Sequence, residues 1–121
     1  MNKREVIIQL LQFIVISPPR YFNFAVMFSS NEERKEFINE FYSTLDTIPE
    51  WLLPQQIRRQ SRVFETYCST IYFVTSTWEL KGLSINFFYY SNKISGKTKE
   101  NLMEDLYPVF SAMKVAMTEF E

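Results

Sequence analysis

The stretch from Leu83 to Tyr90 constrains the fold more than any other part of this sequence, because it is almost continuously apolar. A strand with one face in water alternates apolar and polar residues, whereas a strand buried on both faces is apolar along its length. Side chains alternate along a strand, so Phe87 and Tyr89 are expected on one face and Phe88 and Tyr90 on the other, both covered. The run predicts a central strand of a parallel sheet that has helices on both sides.

Two helices are predicted before this strand. From Lys3 to Ile16, apolar residues recur at helical spacing, and Pro18 is expected to end the helix because proline cannot continue it. Ser30 is expected to cap a second helix whose apolar stripe reaches Leu45. The pair Glu32-Glu33 suits the positive end of that helix and predicts a solvated face.

Three further strands and a last helix complete the predicted order α-β-α-β-β-β-α. The strands are expected at Tyr21–Phe28, Ser61–Glu65 and Ser69–Ser76, where β-branched and aromatic residues cluster. Thr98 is expected to cap the last helix, and Pro108 to bend or end it. Helices that alternate with buried strands indicate an open α/β sandwich.

Composition excludes several classes of function. The 121 residues, 46% of them hydrophobic, are enough for a single domain that covers 1–121. There are 13 basic and 14 acidic residues and a formal charge of −1, without the basic footprint of a dedicated nucleic-acid-binding domain. The chain has no histidine and one cysteine, Cys68, so neither a histidine-based catalytic group nor a cluster of zinc ligands can form. No metal site is predicted.

The apolar run from Val6 to Ile16 resembles a signal peptide only superficially. Gln9 and Gln12 interrupt it, and Pro18-Pro19-Arg20 follows where small cleavage residues would stand. The run is also too short to cross a bilayer. We expect a buried helix in an intracellular protein with no membrane partner.

Ser95-Gly96-Lys97-Thr98 copies the end of a phosphate-binding P-loop. A P-loop needs an earlier glycine so that successive backbone N–H groups wrap the phosphates, and Ser91 stands at that position. A helix start explains the segment better than a nucleotide site.

The sequence has one basic cluster, formed by Arg58, Arg59 and Arg62 in the segment Gln55–Arg62, which is predicted as a loop. Arginines grouped in this way can contact phosphates, and they are also common on ordinary solvated surfaces. Any contact with DNA is expected to be weak, electrostatic and independent of base sequence.

Four segments share a further pattern. They are Phe22–Ser30, Ile48–Pro54 with its proline, tryptophan and second proline, Val74–Asn86 with Lys81-Gly82 inside it, and Tyr107-Pro108-Val109. In this order they resemble the ATPase domain of the large terminase subunit, the DNA-packaging motor of tailed bacteriophages. There, Phe22–Ser30 would follow the P-loop helix, and Val74–Asn86 would lead into the Walker B strand. The resemblance implies an incomplete RecA-like, P-loop NTPase-type open sheet flanked by helices.

Two departures from that family bear on activity. Where the family's Walker B strand ends in an Asp-Glu pair that organises magnesium and the attacking water, this chain has Ser91-Asn92, which supply no carboxylate. The family's P-loop is expected just before the first helix, where this sequence has Met1-Asn2-Lys3. The resemblance therefore implies a missing P-loop, no ATPase activity and no cofactor.

The resemblance implies a non-catalytic viral or prophage protein of the host cytoplasm that binds the DNA-packaging machinery or DNA. Arg58, Arg59, Arg62 and Lys81 are the candidate contacts to phosphate. Two alternatives stay open: a non-functional remnant of a truncated terminase gene, and an ATPase completed by a separate chain that carries the P-loop.

Overall fold

A six-stranded mixed sheet is the centre of the fold in the computed structural model, which describes residues 1–16 and 20–121. The strand order is β2-β3-β4-β1-β5-β6. β1 is parallel to β4 and β5, β5 is parallel to β6, and β3 is antiparallel to both β2 and β4. The strands are β1 (Phe22–Met27), β2 (Arg58–Arg59), β3 (Val63–Glu65), β4 (Ser69–Val74), β5 (Phe87–Ser91) and β6 (Ala116–Phe120).

Two helices cover one face of the sheet, at the places that the sequence predicts. They are α1 (Lys3–Ile16) and α2 (Asn31–Leu45). The side chain of Ser30 accepts a hydrogen bond from the N–H of Glu33 at 3.1 Å, which confirms the predicted cap. The expectation that Pro18 ends α1 falls outside the described residues.

The core beneath α1 and α2 is mostly aromatic. Phe37 of α2 lies with its ring centroid 5.0 Å from that of Phe28 and 6.0 Å from that of Phe73. Phe13 of α1 makes edge contacts with Phe24 at 4.8 Å and Phe87 at 5.6 Å. Large rings from both helices thus fill the space above the central strands.

The last helix covers the opposite face and has three parts: α3 (Gly96–Asn101), a π-helical turn (Leu102–Leu106) and α4 (Tyr107–Ala112). Ser95 is at the N-cap position, so the prediction that Thr98 caps this helix was wrong. Pro108 does not end the helix, although proline lacks an N–H and crowds the preceding turn. The N–H of Tyr107 bonds to the carbonyl of Leu102, and this wider turn directly before Pro108 lets the helix continue.

The central strand is shorter than predicted and begins at Phe87, not at Leu83. Side-chain amides add to the backbone contacts just before it, where the N–H of Asn86 still donates to the carbonyl of Asn23 at 2.9 Å. The N–H of Asn23 donates to Oδ1 of Asn86 at 2.8 Å, and Nδ2 of Asn23 donates to the carbonyl of Ser84 at 2.8 Å. Phe88 and Tyr89 are buried, whereas Phe87 and Tyr90 are only partly covered.

Two strands form where none was predicted. Arg58 and Arg59 form β2, not a loop, because they pair with Glu65 and Phe64 of β3. β6 follows the last helix and pairs with β5 along its whole length. The open α/β sheet flanked by helices, predicted as the fold class, is confirmed with this added strand.

Candidate functional site

The carboxyl ends of the parallel strands meet at one edge of the sheet, which is where ligands bind in open α/β folds. Ser29 follows β1, Ser91 ends β5, and Glu33 lies in the first turn of α2. We call the side chains of Ser29, Glu33 and Ser91 the carboxyl-edge network.

Asn2 precedes α1 and exchanges two hydrogen bonds with Glu5. The N–H of Asn2 donates to Oε1 of Glu5 at 3.2 Å, and the N–H of Glu5 donates to Oδ1 of Asn2 at 2.9 Å.

Glu33 holds the carboxyl-edge network together. Its Oε1 accepts hydrogen bonds from the N–H of Ser29 at 2.7 Å and from the hydroxyl of Ser29 at 2.9 Å. Its Oε2 accepts from the hydroxyl of Ser91 at 2.8 Å. The solvated face predicted for Glu32-Glu33 is therefore wrong for Glu33, which links the start of α2 to the end of β5. The spacing Ser30-x-x-Glu33, which is typical of a capping box, could have indicated that the Glu33 side chain turns back to the start of α2, but not that it meets Ser91.

The two residues at the expected Walker B position have different surroundings. Ser91 is fully buried, and its Oγ also accepts a hydrogen bond from the N–H of Lys93 at 3.2 Å. Asn92 is exposed, and its N–H donates to the carbonyl of Phe120 at 2.7 Å, which ties the end of β5 to β6. Within residues 1–16 and 20–121, no three histidine, cysteine, aspartate or glutamate side chains are grouped as metal ligands would be.

Each arginine of the basic cluster lies near a carboxylate. Nη2 of Arg59 is 2.6 Å from Oδ1 of Asp46, and the hydrogen bond from Arg59 lowers the pKa of Asp46. The Arg59 guanidinium also lies 5.4 Å from the ring centroid of Tyr42. Arg58 is paired with Glu65 across the ladder between β2 and β3. The Asp46 carboxylate reduces the positive charge that Arg59 presents to a phosphate.

Arg62 and Lys81 lie outside β2 and have other partners. Nη1 of Arg62 is 3.8 Å from Oε1 of Glu79, and the Arg62 side chain is 64% exposed. Nζ of Lys81 lies 4.7 Å from the ring centroid of Trp78, which is itself 72% exposed. Arg58 and Arg59, as successive strand residues, have side chains on opposite faces. The role of these residues in binding DNA stays a prediction.

The P-loop-like segment begins α3. Gly96 has φ +64, and Nζ of Lys97 is 3.5 Å from Oε2 of Glu100 in the same helix. Lys97 is 79% exposed and lies on the surface of the short helix. None of the helices in the described part of the chain is long and apolar enough to cross a membrane.

No protein-family model matches the sequence, and no curated protein matches it. The ATPase domain of the large terminase of Thermus phage P74-26 matches the structure with a TM-score of 0.72 at 7% identity, over 98% of this chain and 54% of that chain. An arginine-to-alanine variant of that domain gives a TM-score of 0.70 at 8% identity over the same shares. The chain thus spans about half the length of these structures.

At 7% and 8% identity, the match between this chain and these structures concerns the fold alone. It extends over nearly the whole chain, so the sheet and the helices on both faces take part in it. The resemblance that the four sequence segments indicated is confirmed at this level. This chain has the fold of part of a phage large terminase ATPase domain, a RecA-like open sheet flanked by helices.

Proposed function

We propose that this chain is a non-catalytic viral or prophage protein that acts in the host cytoplasm by binding the DNA-packaging machinery or DNA. The observation that carries the proposal is the environment of Ser91 at the carboxyl end of β5. Its hydroxyl is buried and donates to Glu33, at the position where the terminase resemblance places a magnesium-organising carboxylate. A neutral hydroxyl engaged in this way is a poor substitute for that carboxylate.

The carboxylate of Glu33 supports the same proposal. Its two oxygens accept three hydrogen bonds from Ser29 and Ser91. A magnesium ion bound to these oxygens would have to compete with donors that also hold the start of α2 in place. The arrangement thus favours a structural role for Glu33 over a catalytic one.

The catalytic half of the proposal is tested by incubating the purified chain with ATP and magnesium and measuring phosphate release. We expect no turnover above the protein-free rate, because the groups that hold phosphate and magnesium are not predicted in this sequence. Lys97→Ala is the control variant. Turnover that survives this change would reveal another active site, and turnover that it abolishes would show that Gly96-Lys97-Thr98 is a phosphate loop.

The binding half is tested with two purified probes. They are duplex DNA and the large terminase subunit of the phage or prophage that encodes the chain. We expect at least one of them to bind, and the fold favours the terminase subunit because a domain of the same architecture can compete for its binding surfaces. If neither probe binds, the non-functional remnant becomes the better interpretation.

A further inference from the structure

Arg34, in the first turn of α2, is a buried charge without a counter-ion. It is 6% exposed, and it is the one charged residue among the buried residues of the described chain. None of the four ion pairs of the described residues includes it, and its guanidinium makes no hydrogen bond with them. The residues outside the described ranges, Ser17, Pro18 and Pro19, have no carboxylate side chain. An unpaired charge in such a place destabilises the fold unless water or a ligand compensates it.

The place of Arg34 on α2 brings its side chain to the carboxyl edge of the sheet. Arg34 and Phe41 are about two turns apart, so they lie on one line of the helix. Phe41 packs against Phe64 of β3 and Phe73 of β4, with ring centroids 5.3 and 5.8 Å away, so this line faces those strands. Helical side chains lean toward the N-terminus, and Arg34 thus reaches over the first turn of α2, at the carboxyl end of β4.

The other flank of α2 faces α1 and β5. Glu33 accepts the hydrogen bond from Ser91 on that side, and Nζ of Lys3 is 3.2 Å from Oε2 of Glu40. Neighbouring residues of a helix point about 100° apart, so Arg34 is turned away from this flank. The segment at Lys3 therefore lies across α2 from the Arg34 guanidinium, and the missing counter-ion does not depend on what stands beside that segment.

The guanidinium of Arg34 can be reached from solvent. Every side-chain nitrogen and oxygen of the described residues that is sealed from solvent has a hydrogen-bond partner. The Arg34 nitrogens have no such partner, so they must touch solvent even though the residue is only 6% exposed. The stem of the side chain is thus packed inside the protein, and its charged end lies at a narrow opening.

The first turn of α2 adds backbone donors at the same end of the helix. The N–H of Glu33 donates to Oγ of Ser30 at 3.1 Å, and the N–H of Arg34 donates to the carbonyl of Ser30 at 3.1 Å. The N–H groups of Asn31 and Glu32 have no partner among the described residues, as is usual for the first residues of a helix. These two donors and the positive end of the helix dipole attract anions.

The carboxylates nearest to Arg34 in sequence do not block this place. Glu32 and Glu36 are exposed, and each lies about 200° around the helix from Arg34, on the side that faces water. Glu33 is engaged with Ser91 on the other flank. A small anion that enters the opening therefore meets the guanidinium and the free N–H groups before it meets a carboxylate.

We propose that the guanidinium of Arg34 and the N–H groups of Asn31 and Glu32 bind a phosphate group of a small molecule. Guanidinium groups bind phosphate through paired, charge-assisted hydrogen bonds, and helix N-termini bind it through backbone N–H groups. The narrow opening favours a free or terminal phosphate over a backbone phosphate of duplex DNA, which has sugars on both sides. The site goes beyond the proposed function and needs neither magnesium nor hydrolysis.

The test titrates inorganic phosphate into the purified chain while the backbone amides are followed by NMR. The amides of Asn31 and Glu32 should shift along one saturable curve, because the ligand accepts a hydrogen bond from both. Chloride at the same ionic strength should not reproduce this curve. Phosphate should also raise the urea midpoint of unfolding more in the parent chain than in Arg34→Met, since a ligand that binds only the folded state stabilises it.

Arg34→Met and Lys35→Met are matched variants. Both remove one positive charge from neighbouring positions of α2, but Lys35 is exposed. Arg34→Met should weaken phosphate binding at least about tenfold, the loss of one hydrogen bond between charged groups, whereas Lys35→Met should leave it nearly unchanged. Arg34→Lys keeps the charge but not the planar fork, so it should weaken binding less than Arg34→Met. Without phosphate, Arg34→Met should unfold at a urea concentration no lower than the parent chain, because it replaces an unpaired charge with an apolar side chain.

Two results would overturn the inference. The first is a phosphate titration that leaves the amides of Asn31 and Glu32 unshifted, or shifts them equally in Arg34→Met. The second is duplex DNA that shifts the same amides and displaces phosphate, since the phosphate would then belong to a nucleic acid. The first result leaves the DNA and terminase binding measurements untouched, and the second would support the proposed function, so the two proposals fail separately.

Discussion

The interior of the sheet and its carboxyl edge are held together by different kinds of contact. The interior belongs to a fold that matches a terminase ATPase domain over 98% of this chain at 7% identity, and aromatic rings fill the space between its helices and strands. At the carboxyl edge, a buried serine donates to the carboxylate of Glu33. Packing depends on volume and polarity, which many sequences satisfy, whereas metal and phosphate chemistry needs particular atoms in particular places.

The largest expected effect tests the interior. Phe37→Ala should lower the free energy of unfolding by about 3–5 kcal/mol, because its fully buried ring leaves a cavity among other rings. Phe87→Ala is the matched control, and it should cost less because Phe87 is only partly buried. Urea denaturation measures both. Near-neutral stability for Phe37→Ala would mean that α2 does not cover the sheet.

The carboxyl edge should respond less than the interior. Ser91→Ala should lower the free energy of unfolding by about 1–2 kcal/mol, because it removes a hydrogen bond to a carboxylate. A double-mutant cycle with Glu33→Gln isolates the interaction between the two side chains. If the two changes were strictly additive, Ser91 and Glu33 would not be coupled, and the carboxyl-edge network would not link α2 to β5.

A smaller effect on the free energy of unfolding is expected at alkaline pH, and it also concerns the interior. Burial raises the pKa of Tyr89, whose hydroxyl donates to Oε1 of Gln9 at 3.0 Å. The stability that depends on the neutral Tyr89 hydroxyl is fully present below the unfolded-state pKa of about 10. It is lost as pH rises through the higher folded-state pKa. Tyr89→Phe should therefore flatten the loss of stability above about pH 10 in denaturation measured across pH. An unchanged alkaline slope would show that the Tyr89 hydroxyl ionises as readily in the folded state as in the unfolded state.

The smallest effect concerns the charged edge at β2, away from both regions. We expect weak binding of duplex DNA at low salt that decreases in Arg58→Ala with Arg59→Ala, and the logarithmic salt slope should fall by about 0.9 for each phosphate that the variant no longer neutralises. Asp46→Asn is the informative control, because it releases Arg59 and should strengthen binding. Unchanged binding in the double variant would exclude β2 from the site. Undetectable binding by the parent would leave a protein partner.

The sequence alone predicted the parts of the fold that depend on local patterns. α1 and α2 were predicted from the recurrence of apolar residues, and the cap at Ser30 from residue type and position. The terminase-like fold was predicted from segments spread along the chain. These features depend on side chains near in sequence or on the order of elements, and both can be read without knowing which parts of the chain meet.

Other features depend on interactions between distant segments, and only the tertiary structure decided them. β6 is a strand because it lies beside β5, and the side chain of Asn86 accepts from the N–H of Asn23 just before β5 begins at Phe87. Glu33 joins the carboxyl-edge network because the end of β5 brings Ser91 to it, 58 positions along the chain. No local pattern determines which distant segments of the chain come together once the sheet has formed.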